Sequence, residues 1–431
     1  MAPRKSTGSQ PSDMQIPEAS ASDQVAPESI GRMRVLLLSE FYPPILGGLE
    51  IHVENLAIEL RRRGHHLAVA TLGNEPRIST RNGIDVHYLS SLSSKVPFIH
   101  QSQHRPFHPP LPDPLVHSQL RKLIRAFRPD VVHGHNWMAA SVPRGQYALV
   151  MTAHDYSLVC PRRTLFNDLE EICSGPALIR CGKCAPQQYG RVRAAIIDVS
   201  TRIGRRRIRP DIQLCVSSAV AEAIRPVVRA DIAVIPNFIP GQPSVIPTEV
   251  DIPSLPPGEF ALFAGTPKAH KGIGVLQEAW TTGTPPCPLF IASLDGATVG
   301  WPEQVLTANL SRVQMAAAWQ RATVAVVPSM WAEPCPTVAL EAMAAGVPVV
   351  ASRVGGLIDL IEDGVEGLLI PPGDPDALRN AVQSIIADPK LRAAMGDAGK
   401  RRVQSFTVPA VVSRIEEAYR RAIVDSHDQL A

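Results

Sequence analysis

No run of apolar residues in this chain of 431 approaches the roughly 20 needed to cross a bilayer. The opening residues, Met1 to Ser6, lack the apolar core of a signal peptide, so a cytoplasmic protein is expected, at most peripheral on the inner membrane face. Charge of one sign is scarce too. With 43 Lys and Arg against 40 Asp and Glu, the net +3 excludes a global binder of nucleic acid or other polyanions. Any basic effect must be local. Cysteine comes as seven residues, an odd count, and in a reducing compartment a disulfide framework is not the expectation. What is plentiful is core-forming material: 45% hydrophobic and 19% charged residues describe a globular chain long enough for two domains. Residues 1–32, rich in Ser, Pro, Gln and Asp, read as a disordered tail.

Four of the cysteines cluster at Cys160, Cys173, Cys181 and Cys184. The last two form a Cys-x-x-Cys, a spacing that puts two thiolates on one zinc ion, and the other two would complete a tetrahedron. The competing reading is a loop of free or redox-labile thiols. The spacing leaves both readings open, a structural zinc and free thiols.

The first half alternates short apolar runs with amphipathic helices, the pattern of a doubly wound parallel sheet. Strands are expected at Arg34 to Ser39, Leu67 to Thr71, Ile84 to Tyr88, Asp130 to His133, Ala148 to Thr152, Ile212 to Val216 and Ala233 to Asn237. Gly47 and Gly48 follow the first strand and precede a helix whose stripe is Val53, Leu56, Ala57 and Leu60. There, missing side chains let backbone approach a phosphate or an acceptor. From Ser90 to about Leu115 periodicity is lost, and His100, His104 and His108 show no ligand spacing. The stretch from Arg202 to Arg209 is basic: its default reading is a solvated face, the alternative peripheral contact with anionic lipid. Residues 238–258 are rich in proline and read as a linker between a domain at 33–237 and a second at 259–405. The second half repeats the alternation, with strands at Phe260 to Ala264, Pro288 to Ala292, Ala325 to Ser329, Val347 to Ala351 and Gly367 to Ile370.

The most informative residues are Glu333 and Glu341, eight positions apart across the junction of the strand ending at Ser329 and a helix from Thr337 to Ala345. The first carboxylate falls on a loop at the carboxyl end of the strand. The second falls about one turn into the helix, near its electropositive start. Pro336 has no N–H to give, so Thr337 and Val338 are the expected backbone donors. Such a site suits a polyol phosphate.

Around the pair stand Pro328-Ser329, Glu341-Ala-Met-Ala344, Gly346-Val-Pro-Val-Val-Ala351, Gly355-Gly356 and Asp363-Gly-Val-Glu-Gly-Leu-Leu369. In this ordered set the chain resembles the retaining glycosyltransferases of family 4. The resemblance implies the GT-B architecture, two Rossmann-like doubly wound domains facing a cleft, with a final helix in 406–431 crossing back to the first. It also implies a donor site in the second domain and the acceptor in the first. By resemblance Lys271 takes the place of the lysine on the donor diphosphate, Glu341 meets ribose hydroxyls, and Glu333 holds sugar hydroxyls near the reacting carbon. His154 faces the donor sugar, and Asn237 shapes the hinge. His133 to Asn136 is a weaker candidate for the cleft wall.

Gly265 ends a strand where the family has a following arginine, and here Thr266 stands instead. One point charge then remains where two cations are expected, with Lys268 as the nearest substitute. The implied activity is transfer of a hexose from a nucleotide sugar to a glycan or lipid-linked hydroxyl in surface polysaccharide or glycolipid assembly. No metal is required for catalysis. An epimerase or hydrolase of the same architecture, or a degenerate sugar-nucleotide-binding protein, stays open as the alternative.

Overall fold

The computed structural model describes residues 31–44, 47–93, 108–167, 172–239, 250–252, 254–293 and 301–428. The expected tail, His100, His104 and most of the proline-rich linker lie outside them. Met33–Ala431 cluster as one compact unit, within which two sheets form two lobes.

The first lobe holds β1 (Arg34–Leu38), β2 (His66–Leu72), β3 (Arg77–Arg81), β4 (Ile84–Leu89), β5 (Val131–Gly134), β6 (Ala148–Ala153), β7 (Ile212–Cys215) and β8 (Asp231–Val234). Their order is β3-β4-β2-β1-β5-β6-β7-β8, parallel except for the antiparallel pair β3 and β4. Val35 to Leu38 of β1 are wholly buried, as a central parallel strand covered on both faces requires. Helices α1 (Gly48–Arg62), α2 (Pro114–Phe127), α3 (Leu178–Tyr189), α4 (Arg191–Arg207) and α5 (Ser218–Ile224) belong to this lobe. Helix α1 buries Val53, Leu56, Ala57 and Leu60, the stripe read from the sequence. Helix α2 starts where Asp113 accepts from the Leu115 and Val116 N–H groups with Pro114 in its first turn, a sharp helix start.

The second lobe holds β9 (Ala261–Ala264), β10 (Leu289–Ala292), β11 (Val305–Ala308), β12 (Val324–Val327), β13 (Val349–Ser352) and β14 (Gly367–Ile370), ordered β11-β10-β9-β12-β13-β14 and all parallel. Its helices are α6 (Ile273–Thr281), α7 (Arg312–Arg321), α8 (Thr337–Ala345), α9 (Leu357–Leu360), α10 (Pro375–Ala387) and α11 (Pro389–Arg402). In each sheet the strand order reverses beside the first strand, between β1 and β5 and between β9 and β12. Crevices open outside the carboxyl ends of strands at such reversals.

The last helix, α12 (Val408–Asp428), packs against α1 and β6 of the first lobe. It is held by buried polar contacts as well as by Val411, Val412 and Ile415. Glu416 accepts from Arg63 Nη1 and meets His65 Nε2, each at 2.7 Å, and the Tyr419 hydroxyl meets His133 Nδ1 at 2.7 Å.

Candidate active site

A cavity of about 950 Å³ lies where the two reversals face one another. Glu40 follows β1, His135 follows β5, His154 follows β6, Gly265 follows β9, and Ser329 and Glu333 follow β12. All six line it.

On the second lobe the loop after β12 is seated by glycines. Gly272 has φ +76°, and a Cβ there would stand 1.7 Å from the Pro328 carbonyl oxygen. Gly355 has φ +54°, and its Cβ would stand 2.4 Å from the Glu333 carbonyl. Only glycine tolerates both the left-handed backbone and the close approach. The Gly356 N–H also donates to the Glu333 carbonyl at 2.6 Å. The Glu333 carboxylate is thereby fixed at 3% exposure, and its Oε1 accepts from Lys271 Nζ at 2.7 Å and Ser329 Oγ at 2.6 Å. Lys271 Nζ also stands 5.3 Å from the Trp331 ring centroid.

Helix α8 begins at Pro336 without a side-chain cap, and Thr337 and Val338 line the cavity. First-turn N–H groups lack partners within a helix, so this end offers donors and a partial positive charge to an anion. Glu341 sits on the next turn with Trp319 Nε1 donating to its Oε2 at 3.3 Å. Burial pushes the Glu341 carboxyl up, against the pull of Trp319 and Arg312.

Arg312, at the start of α7, lines the same cavity. Lys268, the nearest substitute expected beside Thr266, does not line it, and Arg312 is too far along the chain to be paired with Thr266 by spacing. Gly265 and Thr266 are both on the wall, Gly265 with φ +144° and open space where a Cβ would point.

The first lobe supplies a stack of imidazoles. His154 Nε2 and His135 Nδ1 are 3.0 Å apart, and the His52 ring lies edge-on to His154 at 4.9 Å between centroids and stacks on Phe238 at 4.2 Å. Burial holds His52, His135 and His154 below the usual histidine range, His154 at about 4, so the three are neutral at pH 7. They are the described trio whose ring nitrogens come within 4.8 Å of one another, the spacing a metal ion would need. His52 Nδ1 and His135 Nε2 are buried with no hydrogen-bond partner among the described residues. His133, by contrast, is absorbed by Tyr419 and Thr152, each at 2.7 Å, and serves the core.

Gly48 lines the cavity at the start of α1, while Gly47 caps that helix with extended backbone. Asn237 Nδ2 donates across the lobes to the Cys335 carbonyl at 3.4 Å.

Glu40 went unnoticed in the sequence, where it is one acidic residue after a strand. It is 3% exposed, and its Oε1 has no partner among the described residues. Burial, with Asp155 and Glu50 adding to it against Arg163, raises its carboxyl to about 7. Arg163, also on the cavity wall, stays fully charged because Asp155 and Glu40 outweigh the cost of its burial.

The cysteine quartet is placed apart from the cavity. Cys181 and Cys184 lie within α3, Cys160 and Cys173 in the preceding loop, and all four are free thiols. Arg162 Nη1 donates to Cys184 Sγ at 3.2 Å, and Cys173 Sγ donates to the Gly175 carbonyl at 3.5 Å. No three of these sulfurs meet within 4.8 Å of one another.

Two family models match the chain: Glycosyltransferase Family 4 over residues 46–241 and Glycosyl transferases group 1 over 300–402. The glycogen synthase of Mycobacterium tuberculosis is 27% identical over 422 residues, covering 90% of this chain and 95% of that protein. Among solved structures, the sucrose-phosphate synthase of Thermosynechococcus elongatus superposes with a TM-score of 0.63 at 22% identity, over 91% of this chain and all of that one. The Anabaena protein Alr3699/HepE in complex with UDP-glucose gives 0.60 at 18%, over 90% and 99%. At those identities the structures speak for the fold. The family models fall on the two lobes separately, one on each wall of the cavity, and the chain belongs to the group 1, family 4 glycosyltransferases of GT-B fold.

Proposed function

We propose that the protein moves a hexose from a nucleotide sugar to a glycan or lipid-linked hydroxyl with retention of anomeric configuration and without a metal ion in the chemical step. The observation that carries this reading is the grouping of Lys271, Arg312 and the uncapped start of α8 on one wall, opposite His154 on the other. Breaking the bond between the anomeric carbon and the diphosphate leaves negative charge on phosphate oxygens. Two cations, Lys271 held by Glu333 and Arg312 on the same wall, together with a helix start, stabilise that charge most as the bond breaks. The acceptor oxygen bonds to the same face of the carbon, and its proton passes to the departing diphosphate oxygen.

Glu333, locked by Ser329 and Lys271, accepts hydrogen bonds from sugar hydroxyls, and Glu341 accepts from the ribose of the donor. Neutral His154 and His52 present ring nitrogens to the sugar without adding charge beside the reacting carbon. Surface polysaccharide or glycolipid assembly is the proposed setting. Incubation with labelled nucleotide sugars and glycan or lipid-linked acceptors separates the readings: transfer supports this one, free sugar alone supports a hydrolase, and binding without turnover supports a degenerate binding protein.

A structural zinc on Cys160, Cys173, Cys181 and Cys184 is a separate proposal. The donor chemistry fits zinc, and Cys181 and Cys184 share a helix face, though the sulfurs would have to draw together on binding. Zinc content of the purified protein near one per chain, lost in Cys181→Ser with Cys184→Ser, is the expected result.

A further inference from the structure

Helix α4 is built inside out. Its buried face carries Ala194, Ser200, Thr201 and Gly204, and Gly204 approaches the first-lobe backbone so closely that a Cβ would stand 1.7 Å from the Pro110 carbonyl oxygen. The large aliphatic side chains point the other way. Val192, Ile196, Val199 and Ile203 are 67%, 53%, 55% and 44% exposed. At roughly 100° per residue they fall within roughly 60° of arc, away from the buried face. Ile179 on α3, which packs along α4, is 78% exposed.

Scattered exposed aliphatics are ordinary, but a continuous row at i, i+4, i+7 and i+11 is the seam by which a helix buries itself against something. The chemistry on either side of the row says against what. Arg191, Arg193, Arg202, Arg205, Arg206 and Arg207 stand against a single Asp198, giving this one helix +5 where the whole chain is +3. On the helical wheel Arg206 and Arg207 fall on opposite flanks of the row, and both are exposed. Arg202 is taken up by Asp198, at 2.9 Å. A second copy of this chain would bring like charge against like charge along the same seam.

We propose that the α3–α4 face docks on an anionic phospholipid surface, the aliphatic row entering the boundary between headgroups and acyl chains and the arginines meeting lipid phosphates. Long arginine side chains beside a half-inserted row reach back to the headgroup level, which suits both flanks at once. Each cation near an anionic leaflet adds to the binding, and the electrostatic part weakens with salt. No described helix is long and apolar enough to cross a membrane, so this is attachment in the plane of the interface. The face is tied to the cavity: Arg162, bonded to Cys184 of α3, precedes Arg163 of the cavity wall. Docking would hold the first-lobe side of the cleft near a lipid-borne acceptor, yet it stands whether or not the transfer reading does.

The test is sedimentation of the full-length protein with vesicles of phosphatidylcholine alone and of phosphatidylcholine with about 30% phosphatidylglycerol, enough anionic lipid to give a negative surface potential. Wild-type protein should partition onto the anionic vesicles about tenfold more strongly than onto the neutral ones, and less as salt rises. Ile196→Asp with Val199→Asp should lower that partitioning by about tenfold or more at an unchanged melting temperature, since both positions are exposed. Arg206→Glu with Arg207→Glu should remove most of the preference for anionic lipid. Equal partitioning of the wild type onto both vesicle types, or undiminished binding by the aspartate variant, overturns the proposal. So does a dimer by light scattering that the aspartate variant dissociates while neither protein binds vesicles.

Discussion

Lys271 Nζ sits 2.7 Å from Glu333 Oε1, joining the cation proposed for the donor diphosphate to the carboxylate proposed for its sugar. Glu333 is nearly inaccessible while Lys271 is part exposed, so a buried charge is balanced by one that can also reach the cavity. The pair positions both groups before a donor arrives.

Lys271→Ala removes the point charge and leaves Glu333 with only the Ser329 hydroxyl on that oxygen. We expect kcat/KM to fall by about 100-fold or more, the loss of one charge-stabilising contact in the transition state. Glu333→Gln keeps shape and burial, so its melting temperature should hold while turnover falls. Steady-state kinetics alongside thermal unfolding checks both, and near-normal turnover in either variant removes that residue from the site.

Arg312→Ala tests the second cation proposed for the donor diphosphate. Donor affinity should weaken by about tenfold, roughly 1.4 kcal/mol, measured by titration calorimetry with the nucleotide sugar. Lys268→Ala, outside the cavity wall, should leave affinity unchanged.

Much of this was legible in the sequence. Buried strands such as Val324–Val327 are unbroken apolar runs, and the helix at Thr337–Ala345 falls where its strand-loop-helix pattern put it. The edge strand Arg77–Arg81 escaped because four of its five residues are polar and its pairing is made only by β4. Arg312 and Glu40 escaped because each reaches the cavity through the strand order, which no local spacing encodes. The run from Arg202 to Arg209 showed its charge, but which way the neighbouring aliphatics of α4 face is set by the packing of Gly204 and its neighbours on the first lobe, which no local spacing encodes.

Glu40 ties stability to pH. Burial raises its carboxyl to about 7 in the folded protein from the 4.5 of a free glutamate, so the folded state holds its proton where the unfolded chain has lost it. That contribution is complete below about 4.5 and is lost as pH rises through 7, roughly 3 kcal/mol in all. Denaturant unfolding of wild type and Glu40→Gln should show the difference shifting in favour of the variant between pH 5 and pH 8. A constant difference would mean that Glu40 titrates like an exposed carboxylate.

The final helix is held by polar contacts that packing alone would not supply. Tyr419→Phe removes the hydroxyl bonded to His133 and should cost about 1 kcal/mol. Glu416→Ala strips the carboxylate from Arg63 and His65 together and should cost about 3 kcal/mol. If Glu416→Ala unfolds at the wild-type denaturant concentration, the helix is held by its apolar face alone.

The measurement closest to the central claim is the anomeric NMR spectrum of the product formed from a nucleotide sugar labelled at the anomeric carbon and a glycan or lipid-linked acceptor. A product linkage with the configuration of the donor, absent with Lys271→Ala, is the predicted result. An inverted linkage, or labelled free sugar in place of a linked product, would contradict it.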